Sequence, residues 1–384
     1  MAPARRARAA PGPAAGTWAV IAGGGTGGHV VPAIAIGRAL VDRGHPSDSV
    51  LFVGSRRGIE GRLVPAAGFR IILLPGRGLA RRLTRDNLAA VLGLVTAVVQ
   101  AVRLVGRIRP SVVISVGGYA SVPCALAAAL WRVPLIVAEQ NAVPGLANRI
   151  AGRFASACAV SFAGTPLPRA VLTGNPVRPE ILAVDRSCDS RAAARAELGL
   201  PANGVVVAVA GGSLGARRIN EAVLQLASDW SDRSGVAIHH VVGERDFDAL
   251  SSRAPALPPG GLIYHQIRFE DRMDLVLAAA DVAVERAGAS TVSELAVAGV
   301  PSILVPLPGA PSDHQTANAC RLAQAGAAVL IPDDELDHAR LGTELDRLLD
   351  SAATRRSMGA AAQALAHPDA AADVARLAEA HARG

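Results

Sequence analysis

The stretch IAGGGTGGHVVPA, residues 21 to 33, sets five glycines into the six positions 23–28 and follows them with His29. Glycines at this density leave the backbone open to close approach by a ligand. Where such a turn runs into a helix, the free N–H groups and the helix dipole hold an anion, above all a phosphate. His29 falls at the start of that helix, a position that favours the neutral imidazole a general base needs. A lone histidine is more often just a polar residue at a helix start. Here the open glycine backbone around it shifts the balance towards a base.

Gly23, Gly25 and Gly28 match G-x-G-x-x-G, a weak signal by itself. A dinucleotide site also wants an acidic residue after the second strand. That strand instead runs into GSRRGIE, with Arg56 and Arg57 at the place. Arginines there suit NADP, so an oxidoreductase reading survives in weakened form. An ATP loop needs Gly-Lys-Ser/Thr, and the chain contains no lysine.

Two further segments carry polar chemistry. GGSLGARRIN (211–220) combines a glycine turn, the Ser213 hydroxyl, a helix start and the positive charge of Arg217 and Arg218, which suits a pyrophosphate. In ERAGASTVSELAVAGVPSILVPLPGAPSDHQTANA (285–319), Gly288 to Thr291 open a helix that carries Glu294. A carboxylate there can hydrogen-bond both hydroxyls of a ribose. In isolation the plainer reading, a glutamate complementing the helix dipole, is the stronger. The next loop leads to Asp313, His314, Gln315 and Asn318, and polar side chains crowded at the carboxyl ends of adjacent strands are what a sugar site requires.

The elements that must position these residues form two series. Buried strands are predicted at 17–23, 49–54, 70–75, 111–117 and 134–139, then at 204–212, 236–243, 261–267, 281–288, 301–307 and 327–332. Short apolar strands alternating with helices indicate an α/β protein with parallel, doubly wound sheets. Both series open with strand, glycine turn and amphipathic helix, and 384 residues suit two cores. The expected division is a basic disordered tail at 1–16, a Rossmann-like domain at 17–176, and a proline-rich linker at 177–202. A second Rossmann-like domain at 203–365 and a C-terminal helix or tail at 366–384 complete it. The active site is expected in the cleft between the domains.

The formal charge is +7, with all 39 basic residues arginine, which favours anionic partners. Four scattered cysteines argue against a disulfide framework or structural zinc. Aromatic residues are 3% of the chain, too few for the base-stacking surface of a nucleic-acid binder. The most apolar stretch, 88–99, is shorter than a membrane span. Leu79, Arg81, Arg82, Leu83 and Arg85, with Trp131, combine a basic rim with apolar side chains. That pattern fits a helix resting on anionic lipid, and equally an ordinary helix with one core face.

GGGTGGHVVPA, EQNAVPGLANR, TGNPVR, GGSLGARRIN and the 286–319 segment, in this order and spacing from about residue 17 to 365, resemble the MurG family of bacterial transferases. These enzymes move N-acetylglucosamine from UDP-N-acetylglucosamine to undecaprenyl-diphosphoryl-MurNAc-pentapeptide (lipid I), the last cytoplasmic step of peptidoglycan precursor synthesis. The resemblance implies a GT-B fold, inverting hexosyl transfer and peripheral attachment to the cytoplasmic face of the plasma membrane. Other cell-wall synthesis and division proteins are implied as candidate partners, and nucleic acid is not.

The resemblance also assigns roles. The acceptor diphosphate lies at Gly25, Thr26, Gly27 and Gly28, with His29 as base. The donor meets Thr26, Gly27, Gly28, Asn141, Arg178, Ser213, Glu294 and Gln315, with His314 beside the sugar and backbone near Arg268 to Glu270 at the uracil. No tightly bound cofactor or metal is implied, a divalent cation being at most stimulatory, and no Asp-x-Asp pair is placed to hold one. Two positions depart from the family: Ala138 replaces a common histidine, and Glu285 stands where a small or neutral residue is usual. A paralogous glycosyltransferase with another sugar or acceptor is the nearest alternative.

Overall fold

A computed structural model describes residues 16–75, 85–212 and 215–384. The described residues up to Gln140, with Pro144–Pro176 and Asp369–Gly384, form one compact unit; Asn141–Val143 and Val177–Pro368 form the other.

The first unit is built on seven parallel strands: β1 (Ala19–Ala22), β2 (Val50–Ser55), β3 (Arg70–Leu74), β4 (Val112–Ser115), β5 (Leu135–Glu139), β6 (Ala157–Val160) and β7 (Ala170–Leu172). They lie in the order β3-β2-β1-β4-β5-β6-β7. Ile21 of β1 pairs with Phe52 on one side and Ile114 on the other. Strands buried on both faces read as continuous apolar runs, which is why AVIA and VVIS were recognisable in the sequence.

Two strands were not predicted. β6 is made of Ala, Cys, Ala and Val, all buried, and only its last residue is a strong strand former. β7 is a three-residue edge strand, AVL, with all three residues exposed, too short to show a period.

The second unit holds six parallel strands: β8 (Val205–Ala210), β9 (Val236–Val241), β10 (Ile263–Ile267), β11 (Val282–Glu285), β12 (Ser302–Leu304) and β13 (Ala328–Leu330). Their order is β10-β9-β8-β11-β12-β13. Both sheets therefore reverse direction beside their first strand, the doubly wound pattern in which ligands sit at the carboxyl ends.

The stretch expected to be linker folds into helices Pro179–Leu182 and Cys188–Glu197 of the second unit. Arg195, almost fully buried, and Arg191 are held by Asp281 at 2.8 and 2.5 Å. The final helix, Ala370–His381, belongs to the first unit. Val374, Ala375 and Ala378 join a core containing Ile36 and Leu40, and Glu379 binds Arg43 and His45.

The predicted 88–99 helix extends over Arg85–Ile108 and packs on Ser121–Leu130. Trp131, expected at the membrane, is a packing residue. Its indole donates to the Val102 carbonyl at 2.8 Å, its ring covers Gly106, and the Arg109 guanidinium stacks on it at 4.6 Å. Among the described side chains, the exposed large apolar ones on these two helices are Val95, Val99, Leu126 and Leu130, the last 64% accessible. Leu79, Arg81, Arg82, Leu83 and the Arg85 side chain lie outside the described residues. No described helix is long and apolar enough to cross a membrane.

Candidate active site

In the first unit the glycine turn leaves the carboxyl end of β1, where the strand order reverses. Three successive N–H groups are tied from three directions. Gly23 donates to the Val53 carbonyl (3.0 Å), Gly24 to the Gly117 carbonyl (3.2 Å) and Gly25 to Oε2 of Glu60 (2.8 Å). The turn needs glycine on both sides of the approach, since a Cβ at Gly118 would sit 2.2 Å from the Gly24 oxygen.

The following N–H groups, of Thr26, Gly27 and Gly28, open helix Gly27–Asp42 and have no hydrogen-bond partner among the described residues. Such orphan donors at a helix start are a built anion site. Gly25 does not share in it. Its N–H is committed to Glu60, and its contribution to the cradle is the turn itself.

His29 is half-buried in the first turn of that helix. The Thr26 hydroxyl lies 3.2 Å from its Nδ1. The opposite edge of the ring lies against Gly117, where an added Cβ would be 3.0 Å from both Cδ2 and Nε2. The same point is 3.4 Å from the amide nitrogen of Asn148. Asn148 is buried; it donates to Oε2 of Glu139 at 3.0 Å and accepts from Ser115 at 3.4 Å. The imidazole therefore has a hydroxyl at one nitrogen and a buried amide–carboxylate pair near the other.

In the second unit the turns after β8, β11 and β12 stand side by side, because those strands are neighbours. Two expected donor residues meet directly: Arg178 Nε donates to Oε1 of Glu294 at 3.0 Å. Burial raises the Glu294 carboxyl above the usual range, and Arg178 opposes the rise. Glu285, at the end of β11, is pushed up to about 8, first by burial and then by repulsion from Glu294, against the pull of Arg178. The departure at this position thus puts a second carboxyl behind the one expected to hold ribose.

Gln315 opens helix His314–Gln324 and accepts the Leu307 N–H at 2.9 Å, fixing the loop that follows β12. His314 turns back to donate from Nδ1 to the Pro311 carbonyl at 2.7 Å. Ser312 and Asp313, just before, hold φ of 54° and 51°, left-handed values costly for residues other than glycine and concentrated at functional sites.

Asn318, grouped from the sequence with the polar side chains of a sugar site, is fully buried and is a hub. It donates to Asn141 Oδ1 (3.1 Å) and the Ala287 carbonyl (3.2 Å) and accepts the Ala142 N–H (2.9 Å). Only its place in the polar run before the helix hinted at this. Asn141 is accordingly part of the second unit.

Arg217 pairs with Asp246 at 3.5 Å, whereas Arg218 is bound to the carbonyls of Leu336 and Asp334. Of the expected uracil backbone, the Arg268 carbonyl is taken by the Gly243 N–H. Ser213 lies outside the described residues. Among the described residues, no three His, Cys, Asp or Glu side chains cluster as metal ligands.

Comparison with known proteins covers both units. The glycosyltransferase family 28 N-terminal domain matches residues 19–160, and the family 28 C-terminal domain matches residues 206–374. A protein of Desulforudis audaxviator is 40% identical over 363 residues, 91% of this chain and 94% of its own length. One from Alkalilimnicola ehrlichii is 42% identical over 359 residues, 93% and 97% of the two chains. Both are named UDP-N-acetylglucosamine–N-acetylmuramyl-(pentapeptide) pyrophosphoryl-undecaprenol N-acetylglucosamine transferase. The crystal structure of Acinetobacter baumannii MurG superposes with a TM-score of 0.75 at 28% identity, covering 95% of this chain and 99% of that one.

Proposed function

The chain belongs to glycosyltransferase family 28, and from that membership we propose that it transfers N-acetylglucosamine from UDP-N-acetylglucosamine to the MurNAc 4-hydroxyl of undecaprenyl-linked lipid I, giving lipid II. The observation that carries the reading is the identity of about 40%, over more than nine-tenths of the chain, with relatives named for this reaction. The polar geometry of each unit supports a division of labour. The orphan N–H groups of Thr26, Gly27 and Gly28 receive the acceptor diphosphate. The second unit, with Arg178, Glu294, Gln315 and Asn141, receives the sugar nucleotide, and the resemblance adds Ser213.

In the reaction the 4-hydroxyl oxygen forms the new bond to the anomeric carbon as the bond from that carbon to the UDP oxygen breaks. UDP departs with the electron pair from the opposite face, so configuration inverts. The proton passes to His29. In the tautomer whose Nδ1–H donates to the Thr26 hydroxyl, Nε2 is the nitrogen that takes the proton. General base catalysis of this kind contributes about 10²–10⁴-fold. Charge growing on the leaving diphosphate is met by fixed N–H groups and the Arg178 guanidinium, which work without a metal. Alignment of the two substrates supplies much of the rest.

A lipid acceptor brings the protein to the cytoplasmic face of the plasma membrane as a peripheral protein. Val95, Val99, Leu126 and Leu130 offer the apolar contact, and the net positive charge an attraction to anionic lipid.

The test is UDP release from UDP-N-acetylglucosamine with and without a short-chain lipid I analogue, alongside His29→Ala. Acceptor-dependent release that falls at least a hundredfold in a folded His29→Ala is expected. Release in wild type that ignores the acceptor refutes the assignment; release that persists in the variant removes His29 as base.

A further inference from the structure

Glu60 plays no part in the reaction just described, yet it is 1% exposed and lies beneath the acceptor loop. Its two carboxyl oxygens each accept one backbone N–H: Oε1 from Ser55 at the end of β2 (2.7 Å), and Oε2 from Gly25 (2.8 Å). The pocket around it is made by missing side chains. An added Cβ would fall 2.5 Å from the carboxyl carbon at Gly24, 2.4 Å from Cγ at Gly54 and 1.9 Å from Oε2 at Gly58. Gly54 and Gly58 belong to none of the glycine motifs, and the carboxyl group explains why both are glycine.

Of the three bonds that tie down Gly23, Gly24 and Gly25, two are to main-chain carbonyls and only the third is to a side chain. That third bond sits directly before the three orphan N–H groups. We propose that Glu60 is a positioning residue for acceptor recognition: by holding Gly25 N–H inward it sets the direction in which Thr26, Gly27 and Gly28 present theirs to the acceptor diphosphate. The inference rests on the acceptor reading above.

The site demands two acceptor atoms, because both partners are donors. A glutamine offers one oxygen and turns an N–H₂ group towards the remaining N–H. An aspartate is one methylene too short to span Ser55 and Gly25. In Glu60→Gln the KM for the lipid I analogue is expected to rise about tenfold or more, with the KM for UDP-N-acetylglucosamine within twofold of wild type. Glu60→Asp should not rescue it. Gly58→Ala, whose Cβ would displace the carboxyl group at Oε2, the oxygen that holds the Gly25 N–H, should produce the same selective rise, and combining it with Glu60→Gln should add little.

Hydrogen exchange of the Gly25 segment, measured on the full-length variants, should quicken in parallel. If wild type shows no acceptor-dependent turnover, the functional reading fails. If wild type turns over but a folded Glu60→Gln keeps its acceptor KM, or raises both KM values alike, Glu60 does not position the loop.

Discussion

Glu285 should make the second unit lose stability as the pH rises through neutrality, and replacing it by glutamine should abolish most of that loss. The residue is 7% exposed at the end of β11, with Glu294 and Arg178 nearby. In the unfolded chain its carboxyl titrates in the ordinary range near 4.5; in the folded protein burial and Glu294 push it up to about 8. Between those values the folded state keeps a proton that the unfolded state has lost. Stability therefore falls with rising pH, by up to about 1.4 kcal/mol per pH unit. Below the unfolded value the group has no effect, and above about 8 the loss is complete. The ceiling over the whole window is roughly 4–5 kcal/mol.

Glutamine has the shape of the protonated acid and does not titrate. Wild type and Glu285→Gln should therefore unfold alike at pH 4 and below, with the variant increasingly more stable at pH 6, 7 and 8. At about 2–4 °C per kcal/mol for a unit of this size, a ceiling of about 3 kcal/mol between pH 6 and 8 means a gap in melting temperature that opens by up to about 10 °C. Scanning calorimetry of the full chain is the suitable assay, since two units need not melt as one. The KM for UDP-N-acetylglucosamine should also climb above pH 8 in wild type only, where a second negative charge forms behind Glu294. A melting difference that stays constant from pH 5 to 8.5 would refute the reasoning.

Three other outcomes can be checked. Removing Arg178 leaves the largely buried Glu294 without its cation, so Arg178→Ala should destabilise the fold as well as raise the donor KM at least tenfold. Arg178→Ala/Glu294→Gln should cost less stability than the sum of the single changes in a thermal double-mutant cycle. Transfer should survive excess EDTA with most of its rate; loss beyond tenfold that magnesium restores would show that a cation is required. Leu130→Asp with Val95→Asp should weaken co-sedimentation with anionic vesicles severalfold while leaving turnover of a short-chain, water-soluble acceptor unchanged, and equal binding would exclude this face as the membrane contact.

Much of the architecture was legible because parallel strands are buried on both faces. Runs such as VVVAVA and AVIA can hardly be anything else when each is followed by a glycine turn. β6 escaped because alanine and cysteine bury without announcing a strand, and β7 because an exposed edge of three residues is too short to show a period. The C-terminal helix was visible as a helix, but its place on the first unit depends on Glu379 reaching Arg43 and His45, more than 330 positions away in the chain. No local signal encodes such a pairing.

The site was legible in a similarly uneven way, for a physical reason. The residues proposed to meet a ligand sit on turns beside glycines and helix starts, so Thr26 to His29, Glu294 and Gln315 stand out from the sequence, whereas Arg178 was named only by the family resemblance. Residues that orient those turns are buried and bonded to main chain, and their chemistry is invisible until the partners are known. Asn318 looked like one more polar residue before a helix, yet it ties Asn141 and Ala142 to Ala287. Glu60 drew no reading from the sequence, and its surroundings were written only in Gly24, Gly54 and Gly58, spread over 35 positions. Gly25 shows the consequence. Placed at the acceptor diphosphate by the family resemblance, it gives its N–H to Glu60, and only the next three residues keep theirs without a partner among the described residues. A glycine motif therefore marks where the chain turns, and which of its N–H groups remain for the ligand is decided by acceptors elsewhere in the fold.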